Sequence, residues 1–288
     1  MRKSLLYLAG AALIAVTPSC APLINPLSQE YQQHQIHIST LEKLCDAPIT
    51  QRQVTVHLYV SSKPSINAFR EHKDEILKQV KRFYKQYSIN LNFQDSPSPS
   101  FGFYTPNEIE VDILGSKDEL ERRFNEFSQT GYGIKFDGEN VKRAFPAYTA
   151  VTSRVVMINE ESKTYLLDET TLEILREKRP YLRDLSKQEI FIGATAKTIS
   201  HEIAHLFGLP HQESMPPLMF PLRSEGFPNL MAYNDFEPTK DNLLGSTLTS
   251  MQIRIMHKFL ADDSLYNLFK KCHDPHLYVT RLAEMAEN

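Results

Sequence analysis

The chain lacks most of the features that would place it at once. In 288 residues it has only three cysteines, Cys20, Cys45 and Cys272, and no cysteine-rich stretch. Its charges are balanced, 32 Lys and Arg against 35 Asp and Glu for a net charge of −3. There is no basic stripe of the kind that follows a phosphate backbone, which argues against a nucleic-acid partner. Past the first twenty residues no apolar run is long enough to span a bilayer. No internal repeat and no long low-complexity tract occurs. What remains is an ordinary globular composition, 41% hydrophobic, sized for one large domain or one domain with insertions.

The N-terminus is of another kind. Arg2 and Lys3 precede a short apolar core from Leu5 to Val16, which reads as an export signal that is not part of the fold. Thr17-Pro18-Ser19-Cys20 resembles a bacterial lipoprotein cleavage site with Cys20 as the lipidated first residue, although Thr17 stands where such sites usually carry Leu. Ordinary signal cleavage nearby is the rival, and Pro18 and Pro22 make the adjacent cuts poor. The resemblance implies an exported lipoprotein of a bacterial cell envelope, attached to a membrane through its N-terminal lipid. Ala21 carries no aspartate-type retention signal, which points to the outer membrane or cell surface; a secreted or periplasmic protein is the alternative. On this reading 1–19 are the signal, 20–45 a Gln- and Ser-rich tether, and 46–288 the folded domain, expected to be a monomer. With Cys20 lipidated, Cys45 and Cys272 remain. An even remainder in an exported chain suggests a bridge between them, and two free thiols are the other reading.

His201-Glu202-Ile203-Ala204-His205-Leu206-Phe207-Gly208-Leu209-Pro210-His211 has the form HExxHxxGxxH. At about 100° per residue, His201 and His205 lie about 40° apart on one helical face, one turn above the other. Both can aim a nitrogen at one metal ion. Glu202 is close to that ion without competing for it, which suits a general base acting on a zinc-bound water. Gly208 can take the left-handed conformation that ends a helix, letting His211 return as a third ligand. Five fixed positions within eleven residues make a chance match rare, far rarer than HExxH alone. Ile192, Ala196, Ile199, Ile203 and Leu206 recur at spacings of four and three, an apolar stripe nearly opposite the two histidines. Small Ala194 and Thr198 share the histidine face. The spacing predicts a helix from about Lys187 to Phe207.

This motif resembles that of the metzincin metalloproteases. Members of that clan also have a methionine-containing turn downstream of the third histidine. Pro228-Asn229-Leu230-Met231-Ala232-Tyr233-Asn234 matches it, with Met231 lying 20 residues after His211. Its Met-x-Tyr order is similar to the astacin, serralysin and pappalysin branches, in which the tyrosine can approach the metal as a movable ligand. The resemblance is specific over residues 201–233. It implies one catalytic Zn2+ held by His201, His205 and His211, with Glu202 and Tyr233 as catalytic groups and Met231 as a structural support. Some members keep themselves latent through a cysteine on the zinc, but Cys45-Asp46 has little of that pattern around it.

Elsewhere the pattern is coarser. Val54 to Val60 alternates as a strand; Phe69, Ile76, Val80, Phe83 and Tyr87 share one face of a helix over 65–87; Leu91 and Phe93 mark a second strand. Ser96 to Ser100 is a loop. Strands are predicted over 109–114 and 151–158, a charged helical insertion over 160–187, and a final helix carrying Met251, Ile255, Met256, Phe259 and Leu260. The expected class is α/β (α+β), a twisted mixed sheet with long helices, a zinc helix and a C-terminal helix, an order that resembles the metzincin catalytic domain.

The function implied is a zinc endopeptidase acting on protein or peptide substrates. The apolar run from Met215 to Phe220 favours an apolar side chain at the specificity pocket. Two alternatives keep the metal: hydrolysis of another amide such as a cell-wall peptide, or a metal-stiffened surface lipoprotein that only binds. Intact Glu202 argues against the last, because a binder has no evident need for that carboxylate. Should His211 not be the third ligand, Glu213, Glu225 and Asp235 are the candidates to test.

Overall fold

Val54, Val56 and Leu58 alternate with Thr55, His57 and Tyr59, so a two-residue period puts the three aliphatics on one face. The structure, a computed structural model, describes residues 49–99, 107–129, 149–152, 155–159, 169–209, 223–224, 226–232 and 236–261. In it this segment is strand β1, Arg52–Val60, with those aliphatics at most 1% exposed. Strands β2 (Ile89–Ser96) and β3 (Glu108–Leu114) flank β1, both parallel to it. Beyond β3 come β4 (Thr149–Thr152) and β5 (Val155–Asn159), with β5 parallel to β3 and β4 antiparallel to β5. The order is β2-β1-β3-β5-β4. The register aligns Leu58, Val111, Val156 and Val151 across four strands.

Parallel strands need a crossover. Between β1 and β2 it consists of a 3-10 turn at Pro64–Ile66, helix α1 (Asn67–Glu71) and helix α2 (Lys73–Lys85). Helix α3 (Lys117–Gln129) follows β3. Then come α4 (Glu169–Lys178), a 3-10 turn at Pro180–Leu182, α5 (Lys187–Leu206), a two-residue ribbon of β6 (Arg223–Ser224) and β7 (Phe227–Pro228), and α6 (Ser250–Ala261). This is a mixed α/β fold around a small, mostly parallel sheet. Among the described residues no helix is long and apolar enough to cross a membrane.

Three elements differ from the sequence pattern. The helix expected over 65–87 breaks at His72, whose φ of −109° and ψ of 13° leave the helical region. There its ring meets Phe191 of α5 edge-on at 6.0 Å, a tertiary contact outside the reach of periodicity. The single strand expected over 151–158 is two antiparallel strands, β4 and β5. Helix α3 was not foreseen at all.

One core joins the sheet to the helix that carries the motif and to the two helices packed beside it. Val54, Val56, Ile109 and Val111 from the sheet, Ile76, Val80 and Tyr84 from α2, Ile199 and Ile203 from α5, and Met256 and Phe259 from α6 form a single buried cluster. The opposite face of β3 buries Glu110 and Asp112. Burial pushes the Asp112 carboxyl well above the usual carboxylate range; the charge of Glu110 and a hydrogen bond with it add to this, and Arg123 partly offsets it.

Candidate metal centre

Helix α5 is specified at both ends. Ser186 accepts a hydrogen bond from the Glu189 N–H at 3.2 Å, and the Glu189 carboxylate accepts one from the Ser186 N–H at 2.7 Å. This reciprocal capping box fixes where the helix starts. Its stripe, Ile192, Ala196, Ile199, Ile203 and Leu206, is at most 5% exposed. At the far end Gly208 has φ of 85°. Its N–H donates to the His205 carbonyl at 3.0 Å, and the Leu209 N–H donates to the Ala204 carbonyl at 3.1 Å. That pair of bonds is a Schellman motif, which reverses the chain with a residue in the left-handed region.

The same turn orients a histidine. The Leu209 carbonyl accepts from His205 Nδ1 at 2.6 Å. His201 Nδ1 donates to the Leu230 carbonyl at 2.7 Å. A carbonyl can only accept, so each Nδ1 carries a proton, and in the neutral ring each Nε2 is left with its lone pair. This is the arrangement in which outer partners orient a metal-binding imidazole. The two rings lie 4.8 Å apart, perpendicular to one another.

Glu202 completes the group. Its Oε2 is 3.9 Å from His205 Nε2, and both residues are 8% exposed. Two electron-rich atoms facing each other in so dry a place repel unless a proton or a cation lies between them. His201, Glu202 and His205 each offer a ligand atom within 4.8 Å of the others, so the group can hold a metal ion. Such a donor set, imidazole with carboxylate, suits a divalent transition metal.

Beside the group lies a tight turn. Met231 is fully buried, its N–H donates to Asn229 Oδ1 at 2.9 Å, and the Ala232 N–H donates to the Asn229 carbonyl at 3.0 Å. Leu230, which receives the His201 proton donor, is the residue between. A parallel bridge pairs Asn229 with Thr247, and the Leu230 N–H donates to the Thr247 carbonyl at 2.8 Å.

Tyr84 on α2 supports the helix from behind. Its hydroxyl donates to the Ser200 carbonyl at 2.6 Å, and its ring packs edge-on against Phe207 at 5.5 Å. Burial, then the neighbouring Tyr87 and the Glu202 charge, hold the phenol well above its ordinary range, so it remains a donor throughout the working pH range. Sequence reasoning passed over Tyr84. The available signal was its position four residues after Val80, on the stripe that already pointed inward.

Of the residues singled out by the motif, the structure brings together His201, Glu202 and His205, with the turn holding Met231 alongside. His211, Tyr233, Cys20, Cys45 and Cys272 lie outside the described residues, as do Glu213, Glu225 and Asp235. His211→Ala therefore separates the ligand sets. If His211 is the third ligand, its loss should weaken metal binding and any activity that depends on the metal. A variant that binds metal as tightly as the parent would move the third ligand to Glu213, Glu225 or Asp235; metal titration on the purified variant reads this directly.

No family model matches this chain, no curated protein is found similar to it, and no solved structure matches it.

Proposed function

We propose that the chain is a zinc-dependent endopeptidase of the metzincin kind, with His201, His205 and His211 holding one Zn2+ and Glu202 acting as general base. The observation that carries this reading is Glu202 itself. Its carboxylate, one residue from a ligand and nearly buried, sits 3.9 Å from His205 Nε2. A purely structural metal site would be closed by a fourth protein ligand and would need no base at its edge. The left-handed Gly208, the buried Met231 and the helix-and-sheet order support the resemblance.

A zinc ion held there would supply Lewis acidity, making a water nucleophilic near neutral pH and polarising the substrate carbonyl. Glu202 takes the proton of the attacking water on its carboxylate and returns it to the leaving amine. Tyr233 donates its hydroxyl to the oxyanion that develops on the carbonyl. A peptide would lie extended along β4, one of the two edge strands among the described residues, adding main-chain hydrogen bonds. Export and a lipid on Cys20 would place this chemistry outside the cytoplasm, at the bacterial envelope.

The test is digestion of unfolded casein and of isolated cell-wall peptide by the purified chain, with chelator and then with zinc restored. Casein should be cleaved, the chelator should stop cleavage, and zinc should restart it. Attack on cell-wall peptide alone would move the chemistry to another amide. A metal-loaded chain that cleaves neither would be a binding protein.

Tyr233→Phe tests the oxyanion role. Loss of one donor that acts only in the transition state should lower turnover by about 10²-fold, with metal retained and the Michaelis constant within a few-fold. Normal kinetics would make the ring packing rather than chemistry, and would remove the main support for the astacin-like branches.

A further inference from the structure

We propose that Gln252, on α6, is a positioning residue for the metal ligand His201, acting through Asn229 and the Leu230 carbonyl. The proposal rests on the metal-site reading above. Gln252 and Asn229 are both fully buried, and their amides pair reciprocally. Asn229 Nδ2 donates to Gln252 Oε1 at 2.9 Å, and Gln252 Nε2 donates to Asn229 Oδ1 at 3.0 Å. Two opposed bonds between planar groups fix orientation as well as distance, which a single bond does not. Each oxygen also takes a second donor: Asn229 Oδ1 accepts the Met231 N–H at 2.9 Å, and Gln252 Oε1 accepts the Thr249 N–H at 2.9 Å.

The chain of contacts is continuous. Gln252 is held at the start of α6, where Thr249 Oγ1 accepts its N–H at 3.2 Å. Thr249 and Gln252 therefore form a capping box, and the Gln amide reaches past that cap to Asn229. Asn229 opens the turn that spans Met231 and Ala232. Within that turn the Leu230 carbonyl is aimed at His201 Nδ1, 2.7 Å away. Rotating Asn229 would swing that carbonyl and, with it, the imidazole plane. Two buried amides cost desolvation that an apolar pair of the same volume would avoid. Their return is a turn held in one orientation.

Capping and positioning make different predictions, so two variants separate them. Thr249→Ala removes the helix cap and leaves the amide pair. Gln252→Met keeps the length of the side chain and removes the pair. Each full-length variant is titrated with Zn2+ against a chelating indicator, and its Co2+ form is examined in the visible, where the bands report ligand geometry. Both should melt below the parent. Only Gln252→Met should also lose about tenfold in Zn2+ affinity, the low end for groups behind a ligand, and shift its Co2+ bands. Parent-like affinity and bands in Gln252→Met would overturn the proposal, as would an equal loss in Thr249→Ala. Should Gln252→Met fail to fold, Gln252→Glu is judged by the same two readouts, since it keeps the acceptor of the cap and loses the Nε2 donor. A parent chain that takes up neither Zn2+ nor Co2+ would sink the metal reading itself; a parent that binds both, alongside an unchanged variant, would sink this inference alone.

Discussion

Glu202→Gln is expected to leave metal content unchanged and to lower peptide hydrolysis toward the upper end of the about 10²–10⁴-fold range for a general acid–base group. The amide keeps the size and the hydrogen-bonding oxygen of the carboxylate but cannot take a proton. What makes the experiment sharp is the crowding of the site. Glu202 Oε2 lies among ligand atoms all within 4.8 Å of one another, so it could be a ligand as well as a base. A ligand role predicts that metal is lost along with turnover; a base role predicts that turnover alone is lost. Metal analysis and turnover on one preparation distinguish these, and near-parent turnover with metal retained would remove Glu202 from the chemistry.

Gly208→Ala is expected to be severely damaging, although it adds only one methyl group. The backbone there has φ of 85°, and an added Cβ would fall 2.2 Å from Cδ2 and Cε2 of Phe259. Phe259 is 2% exposed and anchored in α6, so the ring has no room to retreat. The left-handed conformation and the overpacking together should cost about 2–5 kcal/mol. At about 2–4 °C per kcal/mol for a domain of this size, the melting temperature should fall by about 10 °C. Metal affinity should fall with it, because the Leu209 carbonyl that orients His205 belongs to the same turn. A melting point within about 2 °C of the parent would show that the helix can end some other way.

The readable parts of this chain were those written in local pattern. Strand β1 followed from the alternation of Val54 to Tyr59. Helix α5 followed from the spacing of Ile192, Ala196, Ile199 and Ile203, and its end from Gly208. Helix α3 was missed because its charges drowned its stripe, although Leu120, Phe124 and Phe127 recur at spacings of four and three and Asp118 and Glu119 occupy its first turn. The break at His72 was beyond reach for another reason, and Tyr84 was legible as an inward residue but not in its hydrogen bond: both depend on what α5 presents across the core. In the same way, the motif named His201 and His205 but not the carbonyls that aim them. Any residue type can offer a carbonyl, so Leu209 and Leu230 leave no trace in residue identity.

The distances in sequence between partners also set an order in time. Tyr84 and Ser200 are 116 residues apart. Tyr87 receives the Leu248 N–H on its hydroxyl, 161 residues away, and the His257 Nε2–H on its carbonyl, 170 residues away. Loops of this length close slowly, since their entropy is lost before any contact repays it. Helix α2 and the turn just after it, where Tyr87 lies, are thus the platform on which both α5 and α6 must arrive. A chain that has been made only as far as His211 already holds the whole HExxHxxGxxH motif, yet Phe259, which packs against Gly208, and the Asn229–Gln252 pair have still to be made. For the proposed hydrolase, synthesis itself is then a form of restraint: the segment that would hold the metal is made well before the last helix, whose docking completes the core around it.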